Sequence, residues 1–282
     1  MSSDRPIRID VGGVLASRLG GKARFVPRFL IRWLEKLICQ DQLNQLLESN
    51  YPLRGAEFCD GVLCDLNVTI DIRNENLLPK NPRCIIVSNH PLGGLDGMSM
   101  ISWLSRHYNR PVRFVVNDLL MAVEPLTDCF VPVNKHGRQS RSSLGSLEEA
   151  LAGDGPVVIY PAGLCSRLGD DGVVADLAWN KMFVTKAIES RRDIVPVHFD
   201  GHNSPSFYRW ARIRQRLGIK FNFEMLLLPR EVFRSRGKTF TITCGTPVPW
   251  QSLEGGAKAA STAAQLRRQV YALPTNISVN EK

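Results

Sequence analysis

The feature that most constrains the fold is an alternation of short apolar runs with amphipathic stretches of helical length. Cys84-Ile-Ile-Val-Ser88, Val112-Arg-Phe-Val-Val116, Val157-Val-Ile-Tyr160 and Asp193–Phe199 are too short for buried helices and rich in β-branched residues. They predict strands, several of them buried on both faces. Segments with helical spacing lie between them, at 97–108, 140–152 and 178–190. Further strands are predicted at Asn67–Arg73, Cys129–Val133 and Lys238–Thr243, with a short helix at Asn117–Val123 and a closing helix at Gly255–Leu273. Such alternation predicts an α/β fold with helices packed on the faces of a sheet. A chain of 282 residues buries about three quarters of its unfolded surface, so no staple is required. Seven scattered cysteines, odd in number and without paired Cys-x-x-Cys spacing, point to reduced thiols in a cytosolic compartment and away from a structural zinc site.

The N-terminal part reads differently. Residues 1–20 are polar and Gly-rich, a loose arm, whereas Phe25–Ser49 predicts one or two amphipathic helices carrying Phe29, Leu30, Trp33, Leu34, Leu37 and Ile38. The expected organisation is an arm with amphipathic helices over 1–60 and an α/β domain over 61–282. No run approaches the ~20 apolar residues of a spanning helix. Phe25–Cys39, for example, is broken by Arg28, Arg32, Glu35 and Lys36.

The net charge of +9 implies an anionic partner, meaning nucleic acid, anionic lipid or an acidic substrate. No recognised nucleic-acid module accompanies it, so a nucleic-acid partner is not expected. Between Lys186 and Lys238 twelve Lys or Arg face five Asp or Glu, most densely in Tyr208–Leu217. There Arg209, Arg212 and Arg216 share one helix face, and Trp210, Ile213 and Leu217 another. Both basic amphipathic stretches suit a bilayer surface, where each cation contributes about 1 kcal/mol beside anionic lipid. Both equally suit a helix packed on the domain with a solvated basic face.

In α/β folds chemistry collects where strands end. His90 lies just beyond a predicted strand, followed by Pro91 and the Gly93–Gly94 pair. An imidazole there can take a proton at neutral pH, and Asp96, six residues on, can hold its other nitrogen. Asp96 also suits the N-cap of a helix beginning at Gly97. A second strand end carries Tyr160-Pro-Ala-Gly-Leu-Cys-Ser-Arg167. Gly163 there permits close backbone approach, while Ser166 and Arg167 offer a hydroxyl and a fork-shaped cation for phosphate or carboxylate. Cys165 offers an alternative nucleophile with His90 as its base, against the commoner role of an inert buried thiol. His198, Asp200 and His202 have spacing that places three metal-type side chains on one strand face, but the Gly201–Pro205 turn is expected to break that strand.

The order of Asn-His-Pro-Leu-Gly-Gly-Leu-Asp, Phe130-Val-Pro-Val133, Pro161-Ala-Gly-Leu-Cys-Ser-Arg167 and Ile194-Val-Pro-Val197 resembles the glycerolipid and lysophospholipid acyltransferase superfamily. The resemblance spans roughly 83–201. It implies a central mixed sheet flanked by helices, with His90 deprotonating an acceptor and Asp96 orienting it. It also implies an acyl thioester of acyl carrier protein or coenzyme A as co-substrate, with no bound cofactor and no metal. The His-to-Asp spacing is one residue longer than usual, and Ala162 stands where the family commonly has Glu. These departures turn the expected acceptor from lysophosphatidate toward amino-acid lipids, and they resemble a hemolysin-like bacterial branch that includes makers of glycine and ornithine lipids. The acceptor and donor site is expected to draw on Asn89, Gly93, Gly94, Asn134, Gly163, Ser166, Arg167 and Lys181, with Arg138 or Arg141 as further cations and Gly93, Gly94 or Gly163 as oxyanion donors. The expected setting is the cytoplasmic face of the inner membrane, held peripherally. The alternatives are a 1-acylglycerol-3-phosphate acyltransferase and a non-catalytic membrane-binding protein, though membrane binding alone needs neither His90 nor Asp96.

Overall fold

The computed structural model describes residues 7–133 and 141–274. The chain opens with helices α1 (Val11–Leu19), α2 (Arg28–Leu37), α3 (Gln40–Ser49) and α4 (Gly55–Asp65). Strands and helices then alternate as β1 (Thr69–Arg73), β2 (Ile85–Ser88), α5 (Leu95–Tyr108), β3 (Arg113–Asn117), β4 (Phe130–Val133), α6 (Arg141–Ala152) and β5 (Val157–Ile159). A small hairpin follows, β6 (Arg167–Leu168) with β7 (Val174–Ala175). Then come α7 (Met182–Ser190), β8 (Ile194–Asp200), α8 (Pro205–Arg216), α9 (Leu228–Arg234), β9 (Thr239–Cys244) and α10 (Ala259–Tyr271).

One sheet runs in the order β1-β9-β8-β2-β5-β3-β4. Every pairing in it is parallel except β8 with β9, so β9 and β1 oppose the other five strands and the sheet is mixed. Residues of β2 alternate between two apolar layers. Ile86 faces α4 and α5 through Phe58, Val62, Leu95, Ile101 and Leu104, while Ile85 and Val87 face α6, α7 and α10 through Leu151, Phe183, Val184, Ala263 and Leu266. Burying both faces explains why β2 reads as an unbroken apolar run. Because β2 lies between its parallel neighbours β5 and β8, all three release the chain at one edge. That edge carries the site.

At the opposite edge Arg192 is fully buried and donates to the carbonyls of Ala150, Leu151, Gly153, Gly155 and Cys84. It neutralises the carbonyl end of α6 and ties that end to the start of β2. The N-terminal region departs from the expected loose arm. Asp10 caps α1 by accepting from Gly13 N–H, and Asn44 and Gln40 of α3 bond the backbone of Ile9 and Val11. A boundary at residue 60 would cut α4, whose Phe58, Cys59, Val62 and Leu63 are core residues, so the unit packed on the sheet begins with α4. No residue of α1, α2 or α3 is fully buried. Leu37 packs against the Cys165, Phe207, Tyr208 and Leu227 cluster, while Phe29 and Trp33 stay 74% and 55% exposed.

Candidate active site

β2 delivers Ser88-Asn89-His90 to the sheet edge. The chain then turns through Gly93, at φ +77°, a conformation that favours glycine. A Cβ at that position would also lie 2.8 Å from Leu228 Cδ1. The turn brings Asp96 back onto the His90 ring, with Asp96 Oδ2 2.9 Å from His90 Nδ1. The Asp96 side chain is wholly buried and that of His90 is 17% exposed. The same Oδ2 accepts from the N–H groups of Leu92 (3.0 Å) and Gly93 (3.3 Å), and Oδ1 accepts from Gly97 N–H (2.9 Å). Burial by itself pushes the Asp96 carboxyl up. The His90 charge and hydrogen bond, with the Leu92 and Gly97 N–H groups, outweigh it and hold the carboxyl below its usual value. A carboxylate only accepts, so His90 Nδ1 carries the proton and Nε2 is the basic nitrogen.

Helix α5 starts at Leu95 with Gly94 as its N-cap, two residues before the expected start at Gly97. Asp96 is therefore not the cap; it lies inside the first turn, where the helix dipole favours an anion. Its carboxylate closes the His90–Gly97 loop and holds the imidazole at once.

Tyr160, at the end of β5, stacks on the His90 ring with centroids 4.0 Å apart and planes inclined by 17°. Its hydroxyl is buried without a hydrogen-bond partner among the described residues, and burial pushes the phenol well above its usual range. The backbone of His90 is fixed as well. Its N–H donates to Asp176 Oδ1 (3.2 Å) and its carbonyl accepts from Ser166 N–H (2.7 Å).

The remaining expected residues divide sharply. Asn89 is a splice between strands: its side chain donates to Phe199 C=O (2.8 Å) and accepts from Phe199 N–H (2.7 Å), so it is not offered to a substrate. Ser166 is buried, with its hydroxyl donating to Asp176 Oδ1 at 2.6 Å, and is likewise internal. Arg167 also departs from expectation, being 7% exposed. Its guanidinium donates to Cys165 C=O (2.8 Å) and to Glu224 Oε1 (3.1 Å). Arg214 Nε lies 2.9 Å from the other oxygen of Glu224, an ion pair without hydrogen-bond alignment. Arg167 is therefore one of the two arginines in a buried Arg–Glu–Arg group and no free phosphate fork.

Of the expected oxyanion donors, Gly93 N–H turns to Asp96, and Gly163 N–H donates to Tyr160 C=O (2.9 Å) with Gly163 at φ +64°. Gly94 remains at the mouth of α5. Lys181 is exposed just before α7, next to Asn180, whose N–H donates to Pro161 C=O (3.0 Å). Asn134 and Arg138 lie outside the described residues, as does the Arg141 side chain.

Cys165 is fully buried against Arg167 and Met225, and burial pushes its thiol up to about 11 despite the nearby guanidinium. It is protonated at neutral pH, which disfavours a nucleophilic role. His198 is buried, 5.6 Å from the Tyr271 ring, and burial pulls it down, while His202 is exposed past the end of β8. Among the described residues no group of metal-type side chains stands together.

Three contributors went unread in the sequence: Tyr160, Asp176 and Glu224. Glu224 alone left a signal, as the single acid in the apolar stretch Phe221–Leu228.

A family model described as acyltransferase matches residues 13–279. A lyso-glycine lipid O-acyltransferase of Phocaeicola vulgatus is 42% identical over 273 residues, covering 97% of this chain and 98% of that protein. A protein of the same name from Bacteroides thetaiotaomicron is 39% identical over 273 residues, covering 97% of this chain and 100% of its own. The crystal structure of the 1-acyl-sn-glycerophosphate acyltransferase from Thermotoga maritima aligns at a TM-score of 0.45 and 14% identity, over 86% of this chain and 91% of that one. With the family match reaching across nearly the whole chain, and relatives of this identity at almost full length, the chain belongs to the acyltransferase family.

Proposed function

We propose that this acyltransferase moves a fatty acyl group from a thioester of acyl carrier protein or coenzyme A to the hydroxyl of a lyso-glycine lipid. The observation that carries the reading is the His90–Asp96 pair, a buried carboxylate fixing the tautomer of a partly open imidazole. The names of the two near-full-length relatives supply the acceptor. His90 Nε2 takes the hydroxyl proton as the oxygen attacks the thioester carbonyl, a contribution of about 10²–10⁴-fold. Asp96 stabilises the resulting imidazolium. Gly94 N–H, at the start of α5, is the proposed donor to the oxyanion, since Gly93 and Gly97 N–H are taken up by Asp96. Collapse breaks the C–S bond, and the departing thiolate recovers the proton from His90.

A lysophosphatidate acceptor is disfavoured because Arg167 is already paired with Glu224. Among the described residues no helix is long and apolar enough to cross a membrane. The exposed Phe29 and Trp33 on basic α2 support peripheral attachment to a membrane surface, for which the cytoplasmic face of the inner membrane is the proposed setting.

The test is product formation from lyso-glycine lipid with each donor, followed by mass spectrometry, in wild type and His90→Ala. We expect a diacyl product from wild type and none above background from a folded H90A. Turnover near wild type in H90A would remove the base assignment, and absence of product from wild type would remove the acceptor.

A further inference from the structure

We propose that Asp176 is a positioning residue for His90, holding the main chain of the base while Asp96 holds its ring. The proposal rests on His90 being the base. Asp176 follows β7 and is 86 residues from His90 in sequence. Its buried carboxylate accepts three hydrogen bonds: from His90 N–H (3.2 Å), Ser166 Oγ–H (2.6 Å) and Trp179 Nε1–H (2.9 Å). Ser166 closes the circuit, because its own N–H donates to the His90 carbonyl at 2.7 Å. Both backbone polar groups of His90 are thus held by the segment that follows β5.

The hub is itself anchored away from the loop it positions. The Asp176 N–H donates to the Tyr271 hydroxyl (2.7 Å), and its carbonyl accepts from Arg267 (2.6 Å), both on α10. Trp179 packs edge-on against Phe183 of α7. The base therefore takes its position from the helical layer covering the other face of the sheet, and the Gly93–Gly94 turn is left to carry Asp96. A carboxylate suits this place because it only accepts; the three donors leave no role for an amide NH2, which would oppose one of them. Misplacing a catalytic group by about 1 Å can cost roughly 100-fold.

The test compares the full chain as wild type, Asp176→Asn, Ser166→Ala and His90→Ala, with lyso-glycine lipid and an acyl thioester. Asp176→Asn is expected to lower kcat about 10- to 100-fold. Its KM should stay within about twofold of wild type at temperatures where the variant is folded. The ¹⁵N signals of the His90 ring, identified by their absence in H90A, are expected to move in D176N. Ser166→Ala should shift kcat and the ring signals in the same direction to a smaller degree, and it carries the test if D176N does not fold. Wild-type kcat in both variants overturns the proposal, as does a fall in kcat with the His90 signals unmoved. Wild-type turnover in H90A overturns the base assignment and this role with it, whereas a failed D176N arm alone leaves the base assignment standing.

Discussion

Asp96→Asn isolates the contribution of the buried carboxylate. One oxygen of Asp96 accepts from His90 Nδ1, Leu92 N–H and Gly93 N–H, and the other from Gly97 N–H. An asparagine can present only one acceptor oxygen to these four donors. If the oxygen stays with His90, Leu92 and Gly93, the NH2 opposes Gly97 N–H. If the NH2 turns to His90, it donates to Nδ1, moves the ring proton to Nε2 and leaves no lone pair to accept the substrate proton. Loss of the correct tautomer in a comparable triad costs about 10⁴ in kcat, or roughly 5.5 kcal/mol of transition-state stabilisation.

Stability suffers as well. Losing one charge-assisted hydrogen bond costs about 2 kcal/mol, which in a chain of 282 residues lowers Tm by roughly 3–4 °C. The Asp96 carboxyl is held below its ordinary 3.8 in the folded state. A depressed carboxyl stabilises the fold fully above its unfolded value and loses that contribution as pH falls through its folded value. The stability gap between wild type and D96N should therefore be open at neutral pH and close below about pH 4. The assays are thiol release from the acyl thioester with lyso-glycine lipid, and thermal unfolding across pH. A folded D96N with kcat within about threefold of wild type would refute the tautomer argument.

Gly93→Ala forces a side chain into φ +77° and against Leu228, so it should cost about 1–2 kcal/mol and displace Asp96; an unchanged unfolding midpoint with wild-type kcat would contradict this. Cys165→Ser should retain kcat within about threefold, because a thiol pushed up to about 11 is not the nucleophile; a 100-fold loss in a folded protein would restore the acyl-cysteine route. Arg192→Met leaves several buried carbonyls without their donor and should lower stability by about 3 kcal/mol in denaturant titration. Activity per folded molecule should persist in that variant, since Arg192 lies at the edge remote from His90; equal losses of kcat and stability would argue against that separation.

The apolar runs at β2, β3, β5 and β8 were legible because strands buried on both faces select for local, continuous hydrophobicity. The His90–Asp96 pair was legible too, its members being six residues apart in one loop. The start of α5 was not, since Gly94 as N-cap and Asp96 in the first turn depend on how the loop closes. Asn89 and Arg167 have the right chemistry for ligands, yet their partners Phe199 and Glu224 lie 110 and 57 residues away and consume it. Asp176 reaches His90 across 86 residues, and Tyr160 meets it only because β5 lies beside β2. The sequence by itself determined which residue types stand at the strand ends, because burial and turn chemistry are written locally. Only the tertiary structure decided which of them remain free for chemistry, because hydrogen-bonding capacity is spent on whichever neighbours the strand order brings within reach.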